Sequence, residues 1–416
     1  MQRVLVIGYV WPEPNSSAAG SQMLQLLNFF LEQHYQINFA SPAIKTPHMF
    51  DLATLDVQAD SIELNNSSFD EYVTTLQPNI VLFDRFMMEE QFGWRVENNC
   101  PNALRVLLTV DLHCVRDARQ QALKQNREMT QHDLQSTIAM REIASILRSD
   151  LSLLISKFEY DLLINEFTID KKLLLLVPFM LETITRQDIQ QLPKYSERHN
   201  FISIGNFRHE PNWDAVLYLK NSIWPLIRKQ LPDAQMHIYG SYPSEKAMQL
   251  NNKKENFLVM GWAEDVYQVM QKCRICLAPL RFGAGIKGKL IDAMLTGTAS
   301  ITSSIGAEAM HGNLDNQLPW NGIITDDPEY FAKSAVALYN NEAAWCAMQD
   351  NGIKIINRYY DKNKISEYLA QRITELLSSL TQSRLDNFYG TMLRHHSMKS
   401  TEYMSRWIEE KNKDKI

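Results

Sequence analysis

The sequence predicts an α/β protein with two open parallel-sheet domains and a helical C-terminal extension. Three observations carry that expectation. Short, β-rich apolar runs alternate with longer helical patterns through most of the chain, as parallel βαβ units require. The runs are almost continuously apolar, which marks strands covered on both faces. A length of 416 residues also exceeds what one hydrophobic core of ordinary size supports, so more than one domain is expected.

In the first half, strands are expected at 3–8, 37–41, 80–84, 105–111, 151–156 and 173–179. In the second half they are expected at 201–207, 235–241, 256–262, 275–281, 299–304 and 322–327. Between the two sets, residues 181–200 are polar, carry Pro193 and show no apolar period, which reads as an interdomain connection. The expected units are therefore a first domain over 1–180 with a helical excursion at 115–148, a linker over 181–200, and a second domain over 201–360. C-terminal helices follow over 361–416, free to cross back to the first domain.

Composition excludes several classes. At 45% hydrophobic and 22% charged residues the chain reads as a folded globular protein, and a net charge of −6 argues against a nucleic-acid coat. The five cysteines have no disulfide-framework spacing, and Cys273-x-x-Cys276 lacks the second Cys/His pair of a zinc site, so buried thiols in a reducing compartment are expected. No secretory leader is visible at Met1–Ile7, and the strongest apolar run, Leu173–Val177, is far short of the ~20 residues that span a bilayer. The expected location is cytoplasmic.

The tail over 385–411 has apolar residues at helical spacing: Phe388, Tyr389, Met392 and Leu393, then Tyr403, Met404, Trp407 and Ile408. That stripe fits docking on the body of the protein, self-association, or an interfacial helix at the inner face of a membrane, the last favoured by Trp407 with Arg406, Lys411 and Lys413 nearby.

Fifteen glycines are about half the ~7% share of an ordinary chain, and ten of them fall between Gly205 and Gly322. The segment RFGAGIKGKLIDAMLTG (281–297) places Gly283, Gly285 and Gly288 between a strand and a helix, with Lys287 and Lys289 beside them. Glycines let backbone N–H groups approach a phosphate, a helix N-terminus adds its positive end, and lysines add point charges. A diphosphate is the natural ligand, and Asp292, one turn after Lys289, places a carboxylate for ribose hydroxyls. The P-loop pattern fails because Leu290 follows Lys289, and a dinucleotide fingerprint is absent after the first strand.

Residues 277–310 resemble the donor-binding segment of GT-B glycosyltransferases, specifically the retaining family 4, and 201–240 resemble the opening of that family's C-terminal domain. Weaker similarity covers the SSAAG loop, TVDLH (109–113) and 153–179. The resemblance implies two Rossmann-like domains facing across a cleft, with a nucleoside-diphosphate sugar on the second and a glycan or lipid-linked acceptor on the first. It implies that Lys289 and Arg208 bind the diphosphate, that Gly283, Ala284 and Gly285 offer backbone N–H groups with Lys287 beside them, and that Asp292 takes the ribose. It places His113 near the transferred sugar and lets Gly20 bring the N-terminal loop to the cleft. The family's two glutamates, with seven residues between them, are Ala284 and Asp292 here, which leaves sugar-hydroxyl recognition unassigned.

The implied reaction needs no metal and no cofactor: no DxD motif is placed for a cation, and Asp326 and Asp327 read as caps of a helix at Pro328. Glu308 reads as first-turn helix charge. Retention through front-face attack would use the leaving phosphate to accept the acceptor's proton. Two other functions stay open: a sugar-nucleotide epimerase of the same fold, with Asp111 as acid/base, and a catalytically silent glycan-binding or partner subunit.

Overall fold

The computed structural model describes residues 2–312 and 316–413; the last three residues of the expected C-terminal segment lie outside the described residues. The first sheet has seven strands: β1 (Arg3–Ile7), β2 (Gln36–Ser41), β3 (Gln58–Ser61), β4 (Ile80–Asp84), β5 (Leu104–Leu108), β6 (Leu151–Leu154) and β7 (Leu174–Leu176). The second has six: β8 (His199–Ile204), β9 (Met236–Tyr239), β10 (Phe257–Gly261), β11 (Cys273–Ala278), β12 (Ala299–Thr302) and β13 (Gly322–Ile324). All pairs are parallel, in the orders β3-β2-β1-β4-β5-β6-β7 and β10-β9-β8-β11-β12-β13.

The fully buried character of β1, β4 and β5 explains their central places, since helices cover both faces. β3 escapes the sequence reading because QADS is a polar edge strand with no apolar run. Each sheet changes direction of strand order between neighbours, β1/β4 in one and β8/β11 in the other. Those switch points are where open α/β sheets leave a crevice beyond their strand ends.

The two chain crossings between the domains lie side by side. Leu181 N–H donates to Tyr360 O at 2.8 Å and Lys362 N–H donates to Leu181 O at 2.9 Å, while the Asn357 side chain bonds both backbone groups of Ile184. The helix Lys362–Asp386 then packs Leu369, Ile373 and Leu376 into the core of the first domain.

The end of the chain docks with the opposite face to the one its pattern suggests. Gly390, Arg394, Met398 and Ser405 turn inward, while Phe388, Tyr389, Met392, Tyr403, Met404 and Trp407 stay exposed, Trp407 at 58%. The physical reason is the surface beneath, which is polar: Arg148 donates to Ser397 Oγ at 3.0 Å, Arg95 to Ser405 Oγ at 3.3 Å, and Arg394 pairs with Glu97 at 3.4 Å. Buried arginines need such partners, and apolar side chains supply none. Among the described residues no helix is long and apolar enough to cross a membrane.

Candidate functional site between the two sheets

The first wall of the cleft is built on the ends of β1, β4 and β5. Two non-glycine residues there hold positive φ, Arg85 at 71° and Val110 at 66°, and for a β-branched valine that is a strained conformation. The turn at Val110 delivers Asp111 and His113. Asp111 pairs with Arg116 and lies 3.5 Å from His113 Nε2. Burial alone would raise the Asp111 carboxyl, but Arg116 and His113 outweigh it and hold the group far below the usual range. Burial lowers His113 to about 4 against the pull of Asp111, so its imidazole is neutral at pH 7 and serves as a hydrogen-bonding group.

The helix His113–Lys124 has no side-chain N-cap, and two buried glutamates do that work from elsewhere in the chain. Glu142 accepts from the N–H groups of His113 and Cys114, both at 3.0 Å, and Glu159 accepts from Leu112 N–H at 2.8 Å. Burial raises Glu142 to about 7 despite those bonds.

The second wall comes from the ends of β8 and β11. Gly205 lies under the Asn212 side chain, where a Cβ would sit 2.7 Å from it, and Asn212 Oδ1 accepts from Lys289 Nζ at 2.8 Å. Burial lowers Lys289 to about 8 and raises Asp292 to about 7. Among the described residues the Asp292 carboxylate has no hydrogen-bond or ion-pair partner. A lysine and a carboxylate held near neutrality in a cleft mark a binding site more than a structural pair. Arg208 lies 3.8 Å over the Tyr242 ring and, among the described residues, has no carboxylate partner, leaving its charge available. His209 is exposed on the second wall, where crowding by the facing wall, with Arg116 adding to the effect, lowers its imidazole below the ordinary range.

The glycine-rich loop itself reaches the opposite domain. Gly283 has φ 150° and Gly285 φ 66°, and a Cβ on Gly285 would lie 3.0 Å from Asp111 Cβ. Ala284 packs against the apolar core of the first domain. Gly285 N–H donates to Glu159 at 2.8 Å, so this N–H is already engaged within the chain. Lys287 is buried with Nζ on Gly285 O at 2.7 Å, and burial lowers its pKa. Gly288 opens the next helix where a Cβ would meet Ala18 at 2.6 Å. Gly20 is buried in the helix Ala18–Glu32, its N–H held by Ser17 Oγ and its Cα against the Glu13 backbone. It closes the N-terminal loop on itself.

The structure thus brings Asp111 and His113 against the glycine loop at Gly285, with His209 in electrostatic reach of both Asp111 and Lys289; among the described residues no hydrogen bond or ion pair ties Arg208 or Asp292 to that group. Sequence reading missed Glu142, Glu159, Arg85, Arg116 and His209. Arg208-His209 and the S-x-x-E pattern of Ser156–Glu159 were visible signals, but nothing local tells which side chain faces a cleft. Glu308 is not first-turn charge: it follows the short helix Ser304–Ala307 and pairs with Arg119 across the cleft at 2.6 Å. Asp327 does cap the helix Pro328–Tyr339, whereas Asp326 accepts from Ser304 N–H at 3.0 Å. Cys273 and Cys276 are buried free thiols. Among the described residues, no cluster of three His, Cys, Asp or Glu could hold a metal ion.

Two parallel sheets facing across their switch points, with the chain returning to the first domain, have close structural counterparts. A glycosyltransferase from Rickettsia africae superposes with a TM-score of 0.63 at 11% identity, covering 90% of this chain and 98% of that one. The fold is GT-B. A point mutant of S. aureus TarM, in complex with fondaparinux, alpha-GlcNAc-glycerol and UDP, shares it with a TM-score of 0.67 at 9% identity, over 90% of this chain and 100% of that one. So does Anabaena HepE in complex with UDP-glucose, with a TM-score of 0.63 at 12% identity, over 91% and 100% of the two chains. Within the GT-B frame, residues 198–341 match the family described as Glycosyl transferases group 1. An uncharacterized 44.6 kDa protein in the cps region of Klebsiella pneumoniae is 25% identical over 173 residues, which is 40% of this chain. The chain spans 44% of that relative's length.

Proposed function

We propose that this chain is a retaining, metal-independent glycosyltransferase that moves a sugar from a nucleoside-diphosphate donor to a glycan or lipid-linked acceptor of a cell-surface glycoconjugate. The observation that carries the reading is the half-buried Lys289, held on Asn212 one helical turn before Asp292, in the segment that matches the group 1 family. Lys289 and Arg208 take the diphosphate, Asp292 takes the ribose hydroxyls, and neutral His113 hydrogen-bonds the sugar from the first wall. As the glycosidic bond breaks, the cations stabilise the departing nucleoside diphosphate, and its phosphate oxygen accepts the proton of the attacking hydroxyl. UDP in the TarM and HepE complexes makes UDP-sugars the first probes.

The epimerase reading loses support at Asp111, whose ion pair with Arg116 makes it a poor proton carrier. In this reading the enzyme works in the cytoplasm. The exposed face of Phe388, Tyr389, Tyr403 and Trp407, with Arg406 and Lys411 beside it, lies on the anionic inner face of the membrane that carries the acceptor. A thermal-shift screen of UDP-, GDP-, ADP- and CMP-sugars tests the donor site, with Asp292→Ala as control. A raised Tm for one nucleotide class, lost in the control, supports the reading; no shift with any of them overturns it.

A further inference from the structure

The sequence Ser156-Lys157-Phe158-Glu159 opens the helix Lys157–Asn165 with the S-x-x-E pattern of a capping box, in which Glu159 would bond back to Ser156 N–H. The structure does not form it. Ser156 makes no side-chain cap, and its buried Oγ has no partner. The Glu159 carboxylate instead turns to two N–H groups from different domains: Leu112, which starts the His113 helix, and Gly285, at the centre of the donor loop, both at 2.8 Å on the same oxygen. Its second oxygen is buried with no partner among the described residues.

A fully buried carboxylate that forgoes its local cap has its place fixed by the two domains together. We propose that Glu159 is a positioning residue that sets the donor loop against the His113 helix, so that nucleotide binding depends on a side chain of the opposite domain. The inference rests on the glycosyltransferase reading for its catalytic meaning, but the contact itself is independent of it.

The surroundings agree. A Cβ at Gly285 would press to 3.0 Å from Asp111 Cβ, Ala284 docks on the first domain, and Arg119 donates to Gly283 O at 2.8 Å in the loop and to Glu308 after the short helix Ser304–Ala307. Burial pushes the Glu159 carboxyl above its usual range, and Asp111 and Glu142 add to it while Lys287 opposes; Arg116 and Cys114 also face it. A proton on the unpartnered oxygen leaves the other free to accept both N–H groups. The neutral amide of Glu159→Gln reproduces that arrangement, whereas Glu159→Ala removes it.

Amide hydrogen exchange on the full-length chain without ligand reads the contact directly. Glu159→Ala is expected to lose protection at Gly285 and Leu112 by about tenfold or more, and Glu159→Gln to restore it. If Glu159→Ala does not fold, Glu159→Asp, one methylene shorter, should show the same loss at Gly285. Equal protection in wild type and the shortened variant, or no recovery in Glu159→Gln, overturns the proposal. With a donor from the nucleotide screen, the shortened variant should raise donor KM by about tenfold with kcat changed less than about threefold, and Glu159→Gln should recover donor KM; a fall in kcat alone also overturns it. A failed nucleotide screen removes the glycosyltransferase reading but leaves the exchange result standing.

Discussion

The donor loop and the C-terminal tail make an instructive pair. Both stand out in the sequence, one by glycine and lysine, the other by an aromatic stripe at helical spacing. The donor loop is buried by the opposite domain, with Gly285 against Asp111 and Ala284 on the first core. The tail docks through serine, glycine and arginine and leaves Trp407 and Tyr403 in solvent. A periodic pattern says which residues share a face. What that face meets is decided by the surface opposite, here an apolar core in one case and a bed of ion pairs in the other.

Substitutions in the two regions should therefore differ in size and kind. The largest expected effect is Lys289→Ala, which removes the cation held by Asn212 and should lower kcat/KM by about 10²–10³ with the circular dichroism of the wild type. A change under about tenfold would move the diphosphate away from Lys289. Next is Arg119→Ala, which breaks the cross-cleft pair with Glu308 and frees the Gly283 carbonyl. It should raise donor KM by roughly tenfold in steady-state assays while kcat holds.

The pH dependence sharpens the same contrast. Lys289 carries its charge below about 8, so donor affinity should fall as pH rises through that value, measured by titration calorimetry. Asp292 acts on stability rather than on affinity, and in the same direction. Its folded pKa of about 7 lies above the unfolded value of about 4, so the native state binds more protons in that window and stability falls as pH rises through it. Asp292→Asn should accordingly melt a few degrees above wild type at pH 8, with the difference gone near pH 4.

The smallest effect is expected in the tail. Replacing Tyr403 and Trp407 together by Glu should leave Tm and donor hydrolysis unchanged, since neither side chain is buried. Flotation with vesicles containing anionic lipid should fall. Retained flotation would remove this stripe as the membrane contact, and a change from dimer to monomer on a sizing column would make it a protomer interface.

Much of the fold was legible because parallel strands buried on both faces leave uninterrupted apolar runs. The central strands β1, β4 and β5 are largely apolar, several others are apolar with one or two polar breaks, and β3 is a polar edge. The donor wall was legible for a related reason: a tight strand-to-helix turn needs glycine locally, and Gly283 and Gly285 do hold positive φ. The charges that surround it were less so. Asp111 and His113 follow a strand end, but Arg85 and Arg116 of the first wall and His209 of the second are ordinary residue types whose charges converge only once two sheets face each other, and Glu159 carries a local pattern that points to a cap the structure does not make.

By itself, then, the sequence determined what is set by neighbours along the chain: most of the strands, the turn at 283–288 and the placing of Lys289 and Asp292 one turn apart on the helix that follows. Tertiary structure decided which N–H groups Glu159 binds, which wall Glu308 joins and which face of the tail is buried. These depend on partners more than a hundred residues away, as with Glu159 and Gly285, and on the cost of leaving a buried charge or N–H unpaired, which no local window contains.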